Sequence, residues 1–130
     1  MVWKVIRLLW ALPNTVLGAL LLPAALRGGT ITLVNGVIEA QGPLLSIVLR
    51  RCVPIDGGAA AITLGHIVLG RDVAALEITR AHERAHVRQC ERWGPLFIPA
   101  YLAASVWAGL MGGGAYEDNY FERQACGADD

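Results

Sequence analysis

The sequence predicts an α+β fold, and three observations carry that prediction. A segment with helical spacing runs from Asp72 to Gly94, an Asn35-Gly36 turn lies between two β-branched runs, and long apolar stretches free of charge lie before and after. A chain of 130 residues makes one domain around a single core. Its expected parts are an apolar helical segment over 1–28, a sheet over 30–70 and a pair of site-bearing helices over 72–126.

The first apolar run extends from Leu8 to Leu26 behind Lys4 and Arg7. A basic start before an apolar run fits a signal sequence or a membrane anchor. Pro13-Asn14 and Pro23 interrupt it, which predicts two short helices, interfacial or buried, in place of one straight span. Next, Thr30 to Val34 and Val37 to Ala40 flank Asn35-Gly36, the favoured dipeptide of a tight hairpin. Leu44 to Leu49 and Ala60 to Leu69 read as two or three further strands, separated by Pro54, Gly57 and Gly58, so the sheet is expected to be small and antiparallel.

Asp72 is placed to cap the following helix and Gly94-Pro95 to stop it. Along that helix Thr79, His82, His86, Gln89, Cys90 and Trp93 fall in a sector roughly 100° wide. Glu77, Arg80, Arg84, Arg88, Glu91 and Arg92 gather on the other side. Within it His82-Glu83-Arg84-Ala85-His86 reads HExxH. Two histidines four apart stand on one helix face, where both imidazoles can bind one Zn²⁺, and the glutamate between them can act as general base toward water.

A catalytic zinc needs a third protein ligand and an open position for water. The extended motif with glycine at position 89 and histidine at position 92 is absent, because the chain has Gln89 and Arg92. His66, in the strand-like run before the helix, could approach the site but has no ligand spacing of its own. Glu122 is the better candidate: Asp118 or Asn119 can cap a short helix in which Glu122 occupies the first turn. Between the motif and Glu122 lies a second apolar run, Pro95 to Met111, which suits a buried core helix or a short membrane segment. A straight crossing helix about 25 Å long would hold His86 and Glu122 apart, so a complete site favours burial or surface insertion.

With His82, Glu83 and His86 followed by Glu122 and Ala125, the stretch from Asp72 to Cys126 resembles the gluzincin metallopeptidases, in which a downstream glutamate in an ExxA context completes an HExxH site. His86 to Gln89 also resembles the HExxHxxQ variant of small bacterial gluzincin-like domains. Cys126 stands where some of those families carry an aspartate that supports a ligand. The resemblance implies His82, His86 and Glu122 as zinc ligands, Glu83 as the catalytic base, and a peptide or protein substrate held along the strand that precedes the zinc helix. Tyr116, Tyr120 or His66 would then stabilise the oxyanion. Cysteine as a third ligand would be similar to peptide deformylase, whose flanking sequence is absent here.

Formal net charge is zero and there is no basic-aromatic motif, so nucleic acid is not an expected partner. Three cysteines, Cys52, Cys90 and Cys126, do not make a full disulfide set, although Cys90 and Cys126 each lie one turn beyond a candidate ligand. A hydrophobic content of 55% is high for a small soluble domain and points to membrane-surface contact, with membrane association favoured over a cytoplasmic location. The competing expectation is a non-catalytic, membrane-associated protein whose metal site is structural or absent. A third is a latent enzyme whose cleft is covered by its own N-terminal segment.

Overall fold

A computed structural model describes residues 1–53 and 58–129, with the side chains of 127–129 left aside. Pro54 and Gly57, expected as separators, lie outside the described residues. The chain runs α1 (Val2–Trp10), α2 (Leu12–Ala19), a 3-10 turn (Leu22–Leu26), β1 (Thr30–Val34), β2 (Val37–Gln41), α3 (Pro43–Arg51), β3 (Ala61–Leu64), β4 (Ile67–Gly70), α4 (Val73–Trp93), a 3-10 turn (Gly94–Leu96), α5 (Phe97–Leu110) and α6 (Tyr120–Asp129). It is a mixed α+β fold.

The sheet has the order β1-β2-β4-β3 and is mixed, which corrects the antiparallel expectation. β1 and β2 form a hairpin across Asn35 and Gly36, both at positive φ, the twist-matched geometry that this dipeptide adopts without strain. β3 and β4 form a second hairpin across Gly65-His66. The hairpins join through the parallel pair β2 and β4, because α3 and β3 intervene and return the chain in the same direction. Leu44 to Leu49 is helix and not strand. Its apolar run is compatible with either period, but Pro43 starts a helix readily and the fully buried pair Leu45 and Leu49 repeats at four residues.

Period-2 alternation divides the sheet into two faces. Ala40, Ile67 and Leu69 face the 3-10 turn and α3, packing with Ala25 and Leu45. Val37, Ala61 and Val68 face α4, packing with Leu76 and Val87. One row across the second face runs Thr32, Glu39, Val68 and Thr63. Buried Glu39 accepts from Arg80 at 2.9 and 3.0 Å and from Arg84 at 3.1 Å. Those two arginines, which the helical wheel grouped with the charged side, therefore dock α4 onto the sheet.

The N-terminal segment is part of the fold. Asn14, buried, donates to the Gly94 carbonyl at 2.8 Å, and the Thr15 hydroxyl accepts from the His66 backbone N–H at 3.1 Å. Gly18 lies where a Cβ would meet Ile67 and Leu64 at 3.0 to 3.1 Å, so α2 packs closely on the β3–β4 hairpin.

Candidate metal centre

Asp72 caps α4 by accepting from the Ala75 N–H at 2.7 Å, which sets the register of the helix and hence of its histidines. His82 and His86 project side by side one turn apart, with ring centroids 4.9 Å apart. The third group arrives through Asn119, which caps α6 by accepting from the Phe121 N–H at 2.8 Å. The same buried side chain donates to the Tyr101 carbonyl at 2.9 Å and to the Ser105 hydroxyl at 2.7 Å, tying α6 to α5. Of the two proposed caps Asn119 serves; Asp118 instead accepts from the Gly114 N–H at 2.7 Å.

Glu122 then lies between the histidines, with Oε2 3.1 Å from His82 Nε2 and Oε1 2.7 Å from His86 Nε2. Tyr101 donates to Oε1 at 3.0 Å. Burial works against its charge, but the hydrogen bonds and charges of the two histidines outweigh it and hold the Glu122 carboxyl down at about 2. Burial likewise opposes an imidazolium at His86, and Glu122 overcomes it so that the His86 pKa rises.

Gln89 decides which His86 nitrogen faces the centre. Its Nε2 donates to the Phe121 carbonyl at 3.0 Å, a group that can only accept, so its Oε1 faces His86 Nδ1 at 2.8 Å. The network thus assigns the hydrogen to Nδ1 and turns the Nε2 lone pair of the neutral ring toward Glu122. Two acceptor atoms 2.7 Å apart need a cation between them, either a proton on Nε2 or a metal ion. Two imidazole nitrogens and a carboxylate oxygen, all within 4.8 Å of one another, form a donor set that a borderline ion such as Zn²⁺ accepts, and among the described residues this is the group of that kind. Gln89 is the side chain that would orient His86 toward a metal bound there.

Comparison of the chain with protein-family models, with characterised proteins and with solved structures finds no match. The site has to be read from its own atoms.

Glu83 is buried beside these groups, and burial pushes its carboxyl up, against the pull of His86 and of Thr63. The Thr63 hydroxyl lies 2.6 Å from Glu83 Oε2 and 3.2 Å from the Glu83 carbonyl, tying the edge strand β3 to the carboxylate. Glu83, His82, His86 and Glu122 all line one cleft of about 510 Å³, whose walls include Ile62 and Leu64 of β3, Ile78 of α4, and Phe97 and Ile98 of α5.

The remaining candidates divide. Tyr116 lines the cleft. Tyr120 is exposed and His66 is turned away, its Nε2 2.9 Å from Glu91. Cys90 is buried among Ala11, Phe97 and Phe121, and burial pushes its thiol up to about 11, while Cys126 is exposed on α6. No residue of 1–28 is among those that line the cleft. Sequence reasoning missed Tyr101 and Thr63 as neighbours of the site. Tyr101 was visible only as a polar residue in an apolar run; Thr63 carried no signal, since only the strand register aims it at Glu83.

Proposed function

We propose that the protein is a zinc-dependent peptidase in which His82, His86 and Glu122 hold the metal and Glu83 is the general base. The observation that carries this reading is a buried, upshifted carboxylate next to a three-donor cluster, with both opening on one cleft. A structural site closes four protein ligands around its metal, whereas three ligands facing a cavity leave room for water. When bound there, zinc supplies a Lewis acid that makes water a nucleophile near neutral pH.

The chain's own residues supply the rest. Glu83 Oε1 takes the proton of the attacking water and delivers it to the leaving amine, while Thr63 holds Oε2 at 2.6 Å. Gln89 keeps His86 in the metal-binding tautomer, and Tyr101 restrains Glu122. Tyr116, whose pKa burial and Glu122 push upward, stays a neutral donor and serves the developing oxyanion. β3 is an edge strand, so an extended peptide can pair with its free side and set apolar side chains against Ile62, Leu64 and Ile98.

The decisive comparison is wild type against Glu83→Gln, by elemental zinc analysis and by cleavage of a library of apolar-rich peptides. The expected outcome is about one zinc per chain in both proteins and hydrolysis only in the wild type. Equal zinc with equal turnover would remove Glu83 from the mechanism, and zinc binding with no cleavage in either would favour a non-catalytic metal site.

A further inference from the structure

Two helices carry apolar faces that none of the described residues covers. α1 contributes no buried residue, although apart from Lys4 and Arg7 it is wholly apolar. α5 is apolar around its whole circumference yet buries only Phe97 and Ala108. Phe97, Tyr101, Ala104 and Ala108 point inward, while Leu102, Val106 and Leu110 project on the opposite side, Leu110 at 78% exposure. A helix apolar on all sides belongs in a core or in a bilayer, and α5 gives only its inner side to the core.

The tryptophans follow the same surface. All four are exposed, Trp3 at 71% and Trp107 at 66%. The helices meet at the Gly94–Leu96 turn, where the Trp10 ring lies over Gly94 and donates to the Arg92 carbonyl at 3.1 Å. Trp93 and Leu96 are exposed beside it, which continues the apolar surface from one helix to the other. Amphipathic tryptophans at the margin of an apolar surface suit the boundary between headgroups and acyl chains.

Charge selects the occupant. From Met1 to Ile38 the charged side chains are Lys4, Arg7 and Arg27, all exposed, and the first acidic residue is Glu39. No charged residue lies between Arg92 and Glu117. We propose that α1 and α5 dock this protein on the surface of an anionic phospholipid bilayer, lying in the interface with Lys4 and Arg7 against the headgroups. At 14 residues α5 is about 21 Å long, short of the roughly 30 Å hydrocarbon core, so it lies in the surface and does not span. A symmetric second copy is a poorer occupant, because pairing α1 with itself would bring Lys4 and Arg7 against their own counterparts. Tyr101, on the inner side of α5, bonds Glu122, so docking holds the metal centre about one helix diameter, 10–12 Å, from the membrane surface.

The test is co-sedimentation of the full chain with vesicles of phosphatidylcholine alone and of phosphatidylcholine with one quarter phosphatidylglycerol, together with tryptophan emission. Strong, salt-sensitive binding to the anionic vesicles with a blue-shifted emission is expected. Lys4→Gln/Arg7→Gln should weaken it about 25-fold, at roughly fivefold per basic residue. Leu102→Ser/Val106→Ser/Leu110→Ser should abolish it with the far-UV spectrum unchanged, which separates lost docking from lost folding. A folded monomer that stays in the supernatant with both vesicle types overturns the proposal. So does a stable dimer that shields the tryptophans, or binding indifferent to phosphatidylglycerol and to Lys4 and Arg7.

Discussion

Gln89→Leu tests how the centre is built, because one buried amide connects the candidate ligand His86 to the helix that brings the third candidate donor. The change deletes the acceptor of His86 Nδ1–H at 2.8 Å and the donor to the Phe121 carbonyl at 3.0 Å. Loss of a ligand's supporting partner weakens metal affinity about 10–100-fold, equivalent to roughly 1.4–2.7 kcal/mol. The stranded carbonyl and imidazole N–H together destabilise the metal-free protein by about 3 kcal/mol, within the roughly 5–15 kcal/mol that a domain of this size holds in reserve. Gln89→Glu separates the two effects. It keeps an acceptor for Nδ1 but loses the donor to Phe121, so zinc affinity should hold or tighten while urea stability falls. Zinc titration against a chromophoric chelator measures the first quantity and metal-free urea unfolding the second. Zinc affinity of Gln89→Leu within twofold of wild type would refute the tautomer assignment.

Glu39→Gln should cost about 2–3 kcal/mol in urea unfolding, since a buried carboxylate loses its charge toward two arginines, of which Arg80 is part exposed and screened by solvent. The Arg80 hydrogen bond, joined by Arg84 and opposed by burial, lowers the Glu39 pKa from 4.5. Its stabilisation is therefore complete above that value and lost as pH falls through the lower folded value. The stability gap between wild type and Glu39→Gln should narrow in acid, and a gap independent of pH would contradict the ion-pair account. On the proposed mechanism, Thr63→Val should lower kcat about 10–100-fold with KM and zinc content little changed, as a hydrogen bond to the proposed base is removed, and Thr63→Ser should restore it. A loss that serine fails to restore would mark Thr63 as a packing residue only.

Much of the site was legible in the sequence because its signals are local. HExxH, the Asp72 cap and the Gly94-Pro95 stop are properties of consecutive residues, and the four-residue spacing alone puts His82 and His86 on one face. The Asn35-Gly36 hairpin was legible for the same reason. Leu44 to Leu49 differs from the strand expectation because a short continuous apolar run has no period of its own, and only the packing of Leu45 against the sheet and the burial of Leu49 one turn on select helix. The parallel β2–β4 pair was invisible, since strand direction depends on how the intervening chain crosses the fold.

Local order in the chain thus determined the helices that carry the candidate ligands, the turn of the first hairpin and the apolar excess. Tertiary structure decided that Glu122 meets both histidines, that Gln89 orients His86, that Thr63 reaches Glu83, and that α1 and α5 leave their apolar faces outward. The physical reason is range: capping and periodicity act over a few residues along the chain. Burial, hydrogen-bond pairing across 20 or more positions and the accessibility of a face exist only once the elements have packed.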